Sequence, residues 1–194
     1  MIPDRYSSFE QLFESETEGV DYQIICAPRD SEIVILAPHG GGIEPGTSEI
    51  ATTIAADDYA LYKFEGLGRR PHSDLHVTSH RYDEPQAIDI VKERRIVVAV
   101  HGRGDKGDAE TVWIGGCDAI TGGLIKRELS LSGFSAQIET TELGATNSKN
   151  ICNRGLTSAG VQLEIPRSLR DRMLREPALL EAFSQAVRRA LTTA

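Results

Sequence analysis

Two short apolar runs constrain this chain more than anything else in it: Ile33-Val34-Ile35-Leu36-Ala37 and Ile96-Val97-Val98-Ala99-Val100. Both are rich in β-branched residues, carry no charge and are short. This is the pattern of central strands in a parallel sheet covered on both faces. The first is expected to end at Pro38 and is followed by His39-Gly40-Gly41-Gly42-Ile43-Glu44; the second runs into His101-Gly102-Arg103-Gly104. Parallel strands bring their carboxyl ends to one edge of the sheet, where open α/β folds bind ligands. His39, Glu44 and His101 are therefore expected to meet there, although they are distant in sequence. The glycines let the first loop fold back so that the Glu44 carboxylate approaches the His39 imidazole. Two imidazoles and a carboxylate, with a fourth position left for water, are the donor set of catalytic rather than structural zinc. For the first segment alone the alternative is a glycine-rich turn with an uninvolved histidine.

The remaining elements alternate. Ser7 or Ser8 caps a short helix through Phe13, and Tyr22 to Ala27 is a strand expected to pair with the 33–37 strand. A helix starts at Thr47 or Ser48 and runs to about Ala56, and Ala60 to Phe64 is a strand. The loop from Gly66 to Asp74 carries Arg69, Arg70 and His72, and Leu75 to Ser79 (LHVTS) is expected as a strand. Asp83 is expected to cap a helix over Glu84 to Arg94. Further expectations are a strand at Thr111 to Ile114, a helix from Cys117 to Leu131 and a strand at Ala136 to Thr140. The tail from Ser168 to Thr192 is two amphipathic helices broken at Pro177. Strands separated by helices describe an α/β fold with a mainly parallel or mixed open sheet flanked by helices. With 194 residues, 40% of them hydrophobic, the chain suits a single domain over 1–194.

In Val161-Gln162-Leu163-Glu164-Ile165 the side chains alternate, so Gln162 and Glu164 share one face. A carboxylate inside such a strand is costly to bury without a partner or a task. It could pair with Arg167 or Arg170. The sharper reading makes Glu164 the base that takes a proton from a metal-activated water.

Charge narrows the partners. The net charge is -8, and residues 1–58 hold twelve Asp and Glu against two Arg, leaving the rest of the chain slightly basic. Such a balance argues against sequence-independent nucleic-acid binding, which needs a basic stripe. No segment approaches the roughly 20 apolar residues of a membrane span. The stretch MIPDRYSSFEQLFESETEG lacks the features of a secretory signal, so cytoplasmic synthesis is expected, with action outside the cell after lysis left open. Cys26, Cys117 and Cys152 are expected to be reduced, buried thiols, and the protein to be a monomer.

The segments APHGGGIEPGTSEIA, LHVTSHRYDEP, VAVHGRG and NICNRGLTSAGVQLEIPR resemble the poly-gamma-glutamate hydrolase family of phages and bacteria, zinc enzymes similar in fold to the zinc carboxypeptidases. The resemblance covers about residues 33–170. It implies one zinc per chain, held by His39, Glu44 and His101, with Glu164 as the catalytic carboxylate in hydrolysis of γ-glutamyl amide bonds. In carboxypeptidases two residues separate the ligand histidine and glutamate, whereas here four do; Asn153-Arg154 looks like their carboxylate-gripping pair but follows the last ligand histidine.

Substrate groups are expected first at Arg103, which suits a carboxylate or a developing oxyanion, then at Asn153 and Arg154, then at His80 and Arg81. His72, His76 and His80 have helical spacing, but Pro71 and the strand-like LHVTS argue against a shared helical face, so they are not taken as ligands. The expected activity is a zinc amidohydrolase cutting the polyanionic γ-glutamyl polymer internally. A deacylase of small N-acylated acidic amino acids is the alternative enzyme, and a metal-free anion-binding module at the helix near Thr47 is the alternative outside catalysis.

Overall fold

The computed structural model describes residues 3–68 and 70–194, so Arg69 of the 66–74 loop lies outside the described residues. The strands are β1 (Tyr22–Ala27), β2 (Ile33–Gly41), β3 (Ala60–Gly66), β4 (Ile96–Arg103), β5 (Val112–Gly115), β6 (Ala136–Ile138) and β7 (Val161–Pro166). They form one sheet in the order β1-β3-β2-β4-β7-β5-β6. Its centre, β3-β2-β4-β7, is parallel. β1 runs antiparallel on β3, β5 runs antiparallel on β7, and β6 lies parallel to β5, so the sheet is mixed. β1 thus pairs with β3 and not with β2, because β3 and β4 occupy both edges of β2.

The helices are α1 (Phe9–Ser15), α2 (Thr47–Ala55), α3 (His72–Leu75), α4 (Pro85–Lys92), α5 (Ala119–Leu131), α6 (Arg167–Arg175) and α7 (Pro177–Leu191), with a 3-10 turn at Ile151–Arg154. They cover the two faces unequally. Ile35, Val98, Val100, Leu163 and Ile165 pack with Ile50 and Ile54 of α2, Ile125 and Leu129 of α5, Leu169 of α6 and Phe183 of α7. Val34, Leu36, Val97 and Ala99 pack with Phe9 and Leu12 of α1, Ile90 and Val91 of α4, and Ile151. Consecutive residues of one strand entering opposite cores is the period-two alternation of a sheet buried on both sides.

Three local expectations are corrected. LHVTS is not a strand: Pro71 is the N-cap of the one-turn helix α3, and the chain then runs extended without joining the sheet. Pro71 therefore starts a helical turn, as proline at a helix amino end can, instead of preventing one. The cap of α4 is Glu84, whose carboxylate accepts from the amides of Gln86 and Ala87, while Asp83 accepts from the Phe9 amide and ties down α1. Among the cysteines, all free, only Cys152 is buried; Cys26 is half-buried and Cys117 exposed.

The strand β2 also continues past Pro38 to Gly41. Its pairing with β4 stops at Leu36↔Ala99, and against β3 its register slips between Ala37 and Gly40, with three steps on β2 opposing two on β3. Pro38, with no N–H to offer the ladder, lies in that slip. The consequence is chemical. Ile35 and Ala37 face the α2 core, and regular alternation would send His39 the same way. The extra residue turns its ring to the opposite face, against Val77 and Tyr82.

Candidate metal centre

β2 and β4 separate at the point where the chain switches sides of the sheet, with α2 following β2 on one face and α4 preceding β4 on the other. Such a switch point is where open α/β sheets place their ligands. In β4, His101 shares the parity of Val97 and Ala99, so it faces the side to which the slip has turned His39. Gly41, at φ +61, closes the loop backbone against Gly66 of β3, where an added Cβ would lie 2.5 Å from the Gly66 carbonyl oxygen. The loop then returns Glu44 beneath the two rings.

The resulting cluster is buried, with His39 1%, His101 2% and Glu44 6% exposed. Glu44 Oε1 lies 3.1 Å from His39 Nδ1, Glu44 Oε2 lies 3.6 Å from His101 Nδ1, and the two Nδ1 atoms are 3.1 Å apart. Each ring is oriented through its other nitrogen. His39 donates from Nε2 to the Val77 carbonyl at 2.9 Å, and His101 Nε2 is 3.3 Å from Ser79 Oγ. The Val77 carbonyl places an N–H on Nε2, so that on binding a metal the Nδ1 lone pair would face Glu44 and His101. The Gly102 amide donates to Glu44 Oε2 at 2.8 Å and fixes the carboxylate. Donor separations of 3.1 to 3.6 Å fit the edges of a tetrahedron about 3.3 Å wide, which metal bonds of about 2.0 to 2.1 Å generate. The three side chains can therefore hold one divalent metal ion. Burial pushes the Glu44 carboxyl up, but the charges and hydrogen bonds of His39 and His101 outweigh it and hold the pKa well below the usual range.

Glu164 stands directly opposite His101 in the β4·β7 pairing and, like Gln162, faces away from the α2 core. It is buried, and its partner is neither Arg167 nor Arg170. Gln162 donates to its Oε1 at 2.8 Å, and Asn150 in turn donates to Gln162 at 3.0 Å. Arg167 instead pairs with Asp171. Burial pushes the Glu164 carboxyl up, the negative charge of Glu44 adds to it, and the pKa reaches about 8 despite the Gln162 hydrogen bond.

The arginines and the asparagine stand differently from expectation. The Arg103 guanidinium lies 3.9 Å over the Trp113 ring and gives its terminal nitrogens to the carbonyls of Gly104, Asp105 and Thr111 and to Asp108. Its two-pronged face is therefore engaged, and only the buried Nε–H has no partner. Asn153 Oδ1 accepts from the amides of Cys117 and Gly160, and Nδ2 donates to the carbonyls of Ala145 and Asn147. These bonds fill its capacity, so it clamps loops together and has nothing left to grip a substrate. Arg154, half-buried, donates to the carbonyls of Lys149 and His80; His80 is half-buried and Arg81 exposed. Ser79, which touches His101, is tied to the same region by the Ile151 amide.

Several residues have parts in the centre that sequence reasoning did not assign to them. Arg170 is buried and bonds the carbonyls of Pro45, Arg103 and Ile165, so one guanidinium ties the Glu44 loop to the ends of β4 and β7. Gly102 makes room for it, since a Cβ there would meet that guanidinium. His76 packs on His39 with ring centroids 4.0 Å apart, and His72 packs on His76 at 4.2 Å. Asp4 holds His76 Nδ1 at 2.6 Å and accepts from the Thr78 amide at 2.8 Å, which anchors the segment that supplies Val77 and Ser79. Only the four-residue spacing of His72 and His76 could have signalled this stack, and the LHVTS pattern obscured it.

Residues 6–189, and so the whole centre, match the sequence family described as poly-gamma-glutamate hydrolase. The chain belongs to that family. The SPbeta prophage-derived UPF0714 protein YoqZ of Bacillus subtilis (strain 168) is 40% identical over 175 residues, which are 89% of this chain and 62% of that protein. The chain therefore spans less than two thirds of the length of that relative. The solved structure of a bacteriophage poly-gamma-glutamate hydrolase superposes with a TM-score of 0.92 at 30% identity, covering 98% of this chain and 97% of the other. A zinc-free apo form of YNDL superposes with a TM-score of 0.88 at 29% identity, covering 97% and 98% of the two chains. An N-formylglutamate amidohydrolase from Ralstonia eutropha shares the fold alone, at 12% identity and a TM-score of 0.55.

Proposed function

We propose that this protein is a zinc-dependent hydrolase of the γ-glutamyl amide bonds of poly-γ-glutamate, and that His39, Glu44 and His101 hold the zinc. The observation that carries the reading is the convergence of two Nδ1 atoms and a carboxylate at 3.1 to 3.6 Å, with the buried Glu164 carboxyl opposite one of the rings in the strand pairing. Family membership supports the substrate, and the zinc-free description of a structurally similar protein supports the metal.

Bound zinc would supply a Lewis acid that polarises the scissile carbonyl and brings the pKa of water toward about 7. The chain's own groups do the rest. Glu164 takes the proton of the attacking water and returns it to the leaving amine. Gln162 and Asn150 hold that carboxyl in one orientation. The unpartnered Nε–H of Arg103 is the single donor that residue has left for the oxyanion or for a side carboxylate. Arg154, His80 and Arg81 lie beyond Ser79, where the further carboxylates of a polymer would run.

The experiment pairs metal content with product size. The unaltered protein should hold about one tightly bound zinc per chain and shorten poly-γ-glutamate, whereas His101→Ala should lose both properties. A folded, unchelated preparation with no metal would end the metallohydrolase reading. Activity confined to small N-acyl amino acids would end the polymer assignment.

A further inference from the structure

His72 and His76 flank a second convergence of donors that the proposed hydrolysis does not use. The helical turn of α3 places both rings on one side, stacked at 4.2 Å, with the His76 amide donating to the His72 carbonyl. Each ring is held by its Nδ1, His76 against Asp4 at 2.6 Å and His72 against the Ile43 carbonyl at 2.9 Å. A histidine held by one nitrogen against a carboxylate or carbonyl presents the other nitrogen as a lone pair, which is how metal-binding imidazoles are oriented. His76 Nε2 points toward the first centre, 3.9 Å from Glu44 Oε1, and one donor atom from each of His72, His76 and Glu44 lies within 4.8 Å of the others. Beyond that 3.9 Å approach to Glu44, no hydrogen bond from His39, Glu44 or His101 occupies the His72 or His76 nitrogens.

We propose that His72, His76 and Glu44 form a second, weaker divalent-cation site that shares the Glu44 carboxylate with the first. The two sites differ in ways that set their order of filling. In the first the donors lie 3.1 to 3.6 Å apart and are buried, whereas in the second His76 Nε2 stands 3.9 Å from Glu44 Oε1 and His72 is exposed. Bonds of about 2.1 Å need donors about 3.4 Å apart, so the second set has to close inward, which the exposed His72 ring can do. Two dications on one carboxylate also repel each other. The first centre therefore fills first, and the second fills only at higher free metal.

The test is zinc binding by the full chain, read by elemental analysis after dialysis at graded free zinc and by calorimetric titration. Two classes are expected, one retained at low free zinc and one at least about tenfold weaker. His72→Ala and His72→Gln should each weaken the second class by about 10- to 100-fold and leave the first intact, with circular dichroism confirming that both variants are folded. A single class at saturating zinc that persists in His72→Ala overturns this proposal and leaves the first centre standing. A second class that His72→Ala and His72→Gln do not weaken overturns it as well. The hydrolase reading fails separately: a single class that His72→Ala removes and His101→Ala spares would support this site and refute the first centre.

Discussion

Glu164 is the residue whose environment says most about its task. With burial and the Glu44 charge raising its pKa to about 8, the metal-free carboxyl is largely protonated at neutral pH, and a dication at the neighbouring cluster would draw it back toward the working range of a base. Glu164→Gln keeps the shape and the Asn150–Gln162 support but cannot accept a proton. Hydrolysis should fall by about 10² to 10⁴ while elemental analysis still finds the zinc; loss of the metal as well would make Glu164 a ligand. A second prediction concerns the chelated protein. Because the folded pKa lies above the ordinary value of 4.5, the unfolded chain releases this proton first as pH rises, so stability linked to Glu164 is fully present below about pH 4.5 and is lost as pH approaches and passes 8. Denaturant melts of chelated Glu164→Gln should lack that decline, and an unchanged profile would show that Glu164 does not titrate in this window. The roles of His39, Glu44, His101 and Glu164 could be framed from sequence because each sits on or just beyond a strand whose pattern is strong. The saturation of Asn153 and of the Arg103 fork could not, since both depend on which loop carbonyls the fold brings to them.

At the level of elements, the strands that carry the centre were legible because their apolar runs are short and β-branched, and the two tail helices because Pro177 divides them. The slip around Pro38 was not. Proline suggested an end to the strand, whereas β2 continues on β3 with one residue extra, and that residue decides which face His39 occupies. LHVTS misled for a related reason, since β-branched residues satisfy an extended segment whether or not it has a strand beside it. Asp4 anchors the LHVTS segment, and Arg170 joins the Glu44 loop to the ends of β4 and β7. Arg170→Ala would leave buried carbonyls unpaired and free the loop, so it should destabilise the fold by about 3 kcal/mol and weaken zinc binding by about 10- to 100-fold. Urea unfolding and zinc competition with a chelator measure the two effects. Zinc affinity unchanged in a folded Arg170→Ala protein would mean that the loop is held without it.

For the whole molecule the governing fact is charge. A chain of net charge -8 repels a polyanion at long range unless a local positive field meets it, and the acidic excess is confined to residues 1–58. Part of that excess is already spent inside the fold: Glu16 and Asp21 bind Arg70, which Asp74 also holds, and Asp4 binds His76. Arg70 is thus withdrawn from any substrate track, and Arg103 is nearly so. On the proposed function, the candidates that stay available among the described residues are the half-buried Arg154, which bonds the His80 carbonyl, and the exposed Arg81, both beside the segment that supplies Ser79. Contacts spaced along a chain, instead of a pocket closed around its end, favour internal cleavage, so polymer size should fall quickly before free glutamate accumulates. A remote carboxylate contact contributes mainly binding common to the ground and transition states. Arg154→Ala should therefore raise KM for long polymer several-fold more than it lowers kcat, and the gap should narrow as salt screens the contact over a Debye length of about 10 Å at 0.1 M. Size-exclusion profiles during the digest decide the matter: a main peak that shifts only slightly while single glutamates appear from the outset would mean that the enzyme works from an end, and that Arg154 serves one terminal carboxylate and not a row of them.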